Sequence, residues 1–397
     1  MKLKILFLLF ILCLPSYAAY AYKRTISCGS ATSSNQTNFP LLIEFNSSNS
    51  GTSFKDVGHS GRIQNSVTQS GGNAVSEPAD LIFTSDAGGT TKIPWETEYW
   101  DNVNGTLWVW VQVSSLVSSG HSTIYVFYDD SGVSTQQNTG SNSPSHVWDS
   151  NYALVKHFPN GSTLSLLDST SNTNTSTNHS GTATTGNSDG GLALSGSSQY
   201  VDVTTASNLA ITGDITIEAW VNPGSISQYN FIIGKDKYYA GLGQCIAAPY
   251  EYRIDTSTGK LNFLQGDGGA NGNTISWGQV QSSSGISASA WSNVAVTLTG
   301  TSVAHYLNGS TNGSGTMNHS ESTGDAGTDL LIGTRQDNYA YFNGTIDELR
   351  ISNIARSASY IATTYNNLHA PSTFSTVGAE TSTSGGGSVI RHKANNS

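Results

Sequence analysis

Charge is scarce in this sequence. Asp, Glu, Lys and Arg make up 11% of its 397 residues, against about 25% in ordinary soluble domains. The 17 basic residues form no patch or stripe, so the electrostatic footprint of a nucleic-acid binder is missing, as is a basic face for an anionic membrane surface. Methionine is down to two residues and cysteine to three. No CxxC and no Cys/His pair at zinc-ligand spacing occurs. Helical periodicity is nearly absent; the best candidate is the short segment Ser357 to Tyr365. There is no G-x-S-x-G elbow, no H-E-x-x-H and no phosphate loop, and the nine histidines are scattered singly.

Small polar residues and aromatics fill the space. Gly alone contributes 42 residues, and Phe, Trp and Tyr reach 10%. Runs of β-branched and aromatic residues alternate with Gly/Asn/Ser turns, which is the pattern of short antiparallel strands. The run Leu107 to Val113 is apolar on both faces and is expected to be a strand covered on both sides. Asn308-Gly309 after Leu307 signals a tight hairpin turn. The expected class is all-β, with two β-sandwich domains, the second a jelly roll.

One apolar run stands apart. Lys2 and Lys4 precede Ile5 to Leu14, Pro15 ends the run, and Ser16-Tyr17-Ala18 supplies a small-x-small cleavage site. That order reads as a secretory signal over residues 1–18, too short to span a bilayer at about 20 residues. The protein is therefore expected outside the cell or on its surface, with no membrane insertion. Cleavage leaves Cys28 and Cys245, either as two buried thiols or as a bridge between domains. Residues 19–130 are expected to form the first β domain and 150–357 the second. Residues 131–149, poor in apolar groups, are expected to link them. Residues 169–189 are expected to form a mobile loop, and 358–397 a short helix followed by a disordered tail.

Several segments of the second half occur in a known order. They are Leu192 to Val203, Ile215-Thr216-Ile217-Glu218-Ala219-Trp220-Val221, Trp291-Ser292-Asn293-Val294-Ala295, Tyr306-Leu307-Asn308-Gly309, and Phe342 to Ile351. Together these resemble the bacterial laminin-G-like domains of the concanavalin A-like lectin/glucanase superfamily. The third differs from the family's W-x-H-V-A in carrying Asn293 where His is usual. The first half resembles domain of unknown function 2341, a β domain of bacterial and archaeal surface proteins. That likeness rests on Tyr22 to Ile26, Thr37 to Ile43, Asp80 to Thr84, Ile93 to Trp100, Thr123 to Tyr128 and Val147-Trp148-Asp149. Leu81-Ile82 replaces the family's Ile-Arg, so no role passes to that arginine.

The superfamily includes glucanases, and retaining glycosidases need two carboxylates about 5–5.5 Å apart. Glu96 and Glu98 share a strand face, but in the first domain. Asp347 and Glu348 are expected to point to opposite faces, whereas Glu348 and Arg350 share one and are expected to pair. Calcium, which takes six to eight oxygens, is implied by the laminin-G resemblance. The carboxylates considered for it are Asp202, Asp325, Asp329, Asp337 and Asp347. A sugar platform needs an exposed ring near fixed polar groups, and Tyr250, Trp277 and Tyr339 are the candidates beside turns. Trp220 and Trp291 are expected in the core. The expected function is a secreted, non-catalytic binding or adhesion protein with a glycan or cell-surface protein as partner. The alternatives are a structural spacer of a surface or phage-like assembly and a carbohydrate-active enzyme.

Overall fold

The strand Thr106–Leu116 lies at the middle of a three-stranded antiparallel sheet, between Gln36–Phe45 and Trp95–Asp101. Its two apolar faces serve two cores. Leu107, Val109 and Val111 share one face; Val111 pairs with Trp95, whose ring meets Phe83 of the opposing sheet. Trp110, on the other face, pairs with Glu96 and packs against Trp148. The opposing sheet has Tyr22–Ser27, Thr123–Tyr128 and Leu81–Thr84 as its main strands. This is the first sandwich. The computed structural model describes residues 20–159, 162–239, 244–266, 277–318 and 327–383; within these, side chains are not described at 237–239, 244–248 and 277.

The second sandwich stacks an eight-stranded antiparallel sheet on a seven-stranded one. The eight-stranded sheet is centred on Asn343–Ser352 and Ile215–Pro223, which pair along their length. Alternation sets the faces of the seven-stranded sheet. Tyr250, Tyr252 and Ile254 enter the core, as do Leu261, Phe263, Val201, Val203, Leu330 and Ile332. Glu251, Arg253, Asn262, Asp202 and Leu331 therefore point outward. Trp220 is buried, as expected. Asn308 and Gly309 both take positive φ, 49° and 72°, in the hairpin turn between Ser302–Leu307 and Ser310–Thr316. A Cβ at Gly309 would lie 2.8 Å from Tyr365 Cδ1.

Two expectations about polar segments fail for a common reason. The supposed linker is packed: Val147 and Trp148 belong to the first core, and buried Asn138 donates to the Trp95 carbonyl at 3.0 Å. The supposed mobile loop is ordered around Asp168, which accepts from Val155 N, Thr170 N, Thr170 Oγ1 and both nitrogens of Asn174. Beyond it, Ser176–His179 and Thr182–Thr184 pair into the two sheets. Hydrogen bonds from small polar side chains hold these segments, and such order leaves no apolar pattern to read.

The short helix expected after residue 357 is present, the residues after it are ordered as far as 383, and 384–397 lie outside the described residues. The helix Ala358–His369 starts at Ser357, whose hydroxyl accepts from Tyr360 N. Its buried face is shared: Ile361 packs on Ala295 and Tyr306 and Tyr365 stacks on Trp220 of the second sandwich, while the rest lies on the first. Tyr360 meets Phe39 at 5.3 Å, and Asn367 makes two 2.8 Å bonds to the Leu42 backbone. Thr376–Val377 and Thr381–Ser382 then pair with Tyr22–Ser27. The chain thus runs out through the second sandwich and returns to complete the first.

Candidate functional site

Two polar assemblies stand out, one sealed and one open. The sealed one lies where the sandwiches meet. Glu96 and Glu98 both project from Trp95–Asp101 into the junction, with a register irregularity between Thr97 and Tyr99. His157 follows the strand Tyr152–Lys156 and stacks on Trp110 at 5.4 Å, with Trp148 at 5.2 Å. Its Nδ1 bonds Glu348 Oε1 at 2.7 Å, and its two nitrogens lie 3.8 Å from Glu96 and Glu98. Arg350 binds the other Glu348 oxygen and lies over Trp110 and Trp148. Glu96 accepts from Asn73, Ser169 and the Trp148 indole, and Glu98 accepts from the Trp110 indole.

Burial opposes the charge on His157, yet Glu348 and Glu96 outweigh it and carry its pKa up to about 10. Burial also acts against the charge of Glu348, but His157 and Arg350 hold it below the ordinary carboxylate range. Glu98 goes the other way: burial first, then Glu348 and Asp189, push it well up. Asp347 is likewise pushed up by burial, Glu348 and Asp189. The junction thus pairs buried cations with buried carboxylates and favours the protonated form of Glu98 and Asp347.

Glu98, His157 and Glu348 offer three ligand atoms within 4.8 Å of one another. They do not fit a cation. His157 Nδ1 is already in a short hydrogen bond to Glu348, an indole N–H bonds one Glu98 oxygen, and a guanidinium takes the second Glu348 oxygen. Nor do Glu96 and Glu98 act on a polysaccharide here, because both side chains are fully enclosed. The expected Glu348–Arg350 pair is present. Asp347 and Glu348, expected on opposite faces, are instead both buried at the junction. Glu348 takes φ 50°, and the register slips opposite Ala219, which turns both carboxyls inward.

Of the five carboxylates considered for calcium, the four among the described residues do not converge. Asp202 and Asp329 are neighbours: burial, then Asp329, raise the Asp202 pKa, while Asp329 accepts from Thr205 N and Oγ1. Asp337 is taken by Arg335 through two bonds. Asp347 is sealed in the junction, and Asp325 lies outside the described residues. Among the described residues, then, calcium finds no set of three. The aromatic candidates also separate. Tyr250 is a core residue whose hydroxyl donates to the Leu209 carbonyl at 2.8 Å, so it has no free face. The Trp277 side chain lies outside the described residues.

Tyr339 is 59% exposed and belongs to the open assembly. On the outward face of the seven-stranded sheet, rings and guanidiniums alternate in a closed circuit. Arg253 lies over Tyr229 at 4.5 Å and over Phe231 at 5.5 Å. Arg335 lies over Phe231 at 5.5 Å and over Tyr339 at 4.9 Å, and Tyr339 returns to Tyr229 at 5.9 Å. Each arginine is paired two residues on, Arg253 with Asp255 and Arg335 with Asp337. Beneath them Glu251 is fully buried. Burial, then Asp236, raise its pKa to about 8 against the opposing pull of Arg335 and Arg253. The sequence signal for this site was the repeated Arg-x-Asp, 253–255 and 335–337; nothing in the sequence showed that the two would meet.

Two antiparallel sandwiches, the second with a polar outer sheet face, place the molecule among β-rich domains of lectin-like architecture. Comparison with known families agrees. Residues 195–362 match the Laminin_G_3 family of the concanavalin A-like lectin/glucanases superfamily, and residues 77–178 match the domain of unknown function DUF2341. No curated protein sequence matches the chain. Among solved structures, the chain is similar to the binding domain of Paraclostridial Mosquitocidal Protein 1, at 12% identity and TM-score 0.42, covering 55% of this chain and 52% of that one. It is similar to Domain 4 of AbnA, a GH43 extracellular arabinanase from Geobacillus stearothermophilus in complex with arabinotriose. There the identity is 17% and the TM-score 0.40, over 53% of this chain and 97% of that one. A third is the botulinum neurotoxin serotype D ligand binding domain in complex with N-acetylneuraminic acid, at 14% identity and TM-score 0.42, over 57% and 53%. The chain spans about half the length of the first of these structures.

Proposed function

We propose that this is an exported, non-catalytic binding or adhesion protein. It recognises glycans or a cell-surface partner through the laminin-G-like sandwich. The observation that carries the reading is the open circuit of Tyr229, Arg253, Phe231, Arg335 and Tyr339, which presents an exposed ring beside fixed donors and acceptors. The signal-like order of residues 1–18 supports export. Superfamily membership supports glycan binding by analogy of fold only. A glycan array probed with the mature protein, with and without calcium, tests it. Binding that weakens at least tenfold in Tyr339→Ala is the expected result. Silence on glycans and on whole-cell surfaces in both buffers would overturn it.

The spacer reading has its own support, the return of residues 358–382 onto the first sandwich, which ties the two sandwiches into one body. It predicts the same stability but no saturable ligand.

A further inference from the structure

We infer that the open circuit takes an uncharged saccharide rather than a carboxylated one; this rests on the glycan reading above. Two arginines on a surface would ordinarily suggest an anion site. Here each guanidinium already has its counter-ion. Arg335 gives Nε and Nη2 to Asp337 at 2.8 and 2.6 Å. Arg253 gives Nε to Asp255 Oδ1 at 2.8 Å, and Asp255 Oδ2 is held by Asn262 and Gln281. The two pairs cancel. Glu251, raised to about 8, adds little charge at neutral pH. An acidic sugar gains no net attraction here and would face Asp255 and Asp337.

A neutral sugar meets what is left. The two Nη groups of Arg253 have no acceptor among the described protein residues and can donate to hydroxyls. Asp337, the more exposed of the two carboxylates, can accept from a hydroxyl, while buried Asp255 holds the frame through Arg253, Asn262 and Gln281. Gln279 and Gln281 are exposed on the neighbouring strand Trp277–Gly285; Gln279 Oε1 accepts from Asn262 at 3.2 Å, and its amide N–H groups remain to donate. Tyr339 supplies a face for the C–H side of a pyranose or furanose ring. The Arg–Asp pairs also fix the guanidinium planes before any ligand arrives, so little side-chain entropy is lost on binding.

The test uses galactan and galacturonan oligosaccharides of equal length, with gluco-oligosaccharides as a second neutral set, titrated into the full mature protein. The expected result is binding of a neutral set that changes little between about 50 and about 500 mM salt. It falls at least tenfold in Tyr339→Ala and is retained in Tyr339→Phe. Asp337→Asn, which leaves Arg335 without its full partner, is expected to gain affinity for galacturonan. Preferential, salt-sensitive galacturonan binding by the unaltered protein would overturn the ligand class and leave the glycan reading standing. Neutral binding indifferent to Tyr339→Ala would overturn the site. Failure of every oligosaccharide, on a protein with an unchanged melting temperature, would overturn the glycan reading itself.

Discussion

His157 touches both sandwiches at once, and its neighbours fix what its loss would do. Glu348 is bonded to it, Glu96 and Glu98 lie 3.8 Å away, and two tryptophans cover its ring. Removing the cation leaves Glu348 to Arg350 alone in a dry site, so His157→Gln is expected to cost about 3–5 kcal/mol in chemical denaturation. Glu98 is the opposite case, a buried acid that keeps its proton in the fold. Glu98→Gln keeps an acceptor for the Trp110 indole and removes an ionisable group. It is expected to leave the melting temperature near wild type at pH 5 and raise it at pH 8. A variant destabilised equally at both pH values would show that Glu98 is charged in the folded protein. The shared face of Glu96 and Glu98, and the Glu348–Arg350 pair, follow from strand alternation and are readable from the sequence. His157 is not, because its partner lies 191 residues away and its sequence neighbourhood carries no motif. A Lys-His step ending an apolar strand was the only trace.

The helix Ala358–His369 shows how an element can be visible while its place is not. Its spacing of apolar residues and its Ser357 cap are local, and both are legible. Its destination is set by Asn367, whose side chain satisfies both backbone groups of Leu42. Asn367→Ala strands a buried N–H and C=O and is expected to cost about 2–4 kcal/mol by urea denaturation. The turn at Asn308-Gly309 and the doubly covered strand at Leu107 to Val113 were equally readable, since φ preference and hydrophobic run are properties of the residues themselves. Residues 131–149 and 169–189 were not. Their order comes from specific side-chain partners, distant as in Asn138 with Trp95 or near as in Asp168 with Asn174, and a polar segment with such partners has the same composition as one without.

For the molecule as a whole, acidity should stabilise. Glu77 and Glu251 rise from an ordinary 4.5 to about 8, chiefly by burial, and His157 rises from 6.5 to about 10. A group raised in the fold contributes fully below its unfolded value, and that contribution is lost as pH rises through the folded value. Between pH 6.5 and 8 all three therefore lose stability together. His305, lowered by burial to about 4, opposes them only below 6.5, where its contribution is lost as pH falls. The melting temperature is expected to be lower at pH 8 than at pH 6.5, on the order of 5 °C, and a flat or rising profile in scanning calorimetry would contradict the buried-acid assignment. The return of the tail has a mechanical consequence as well. Tyr22 pairs with Ser382 and Lys23 with Thr381 in antiparallel register, so tension applied to the chain before Tyr22 and after Ser382 enters and leaves at one point. It would peel those pairs apart one rung at a time, and the intervening sandwiches would bear no load until the last rung opened.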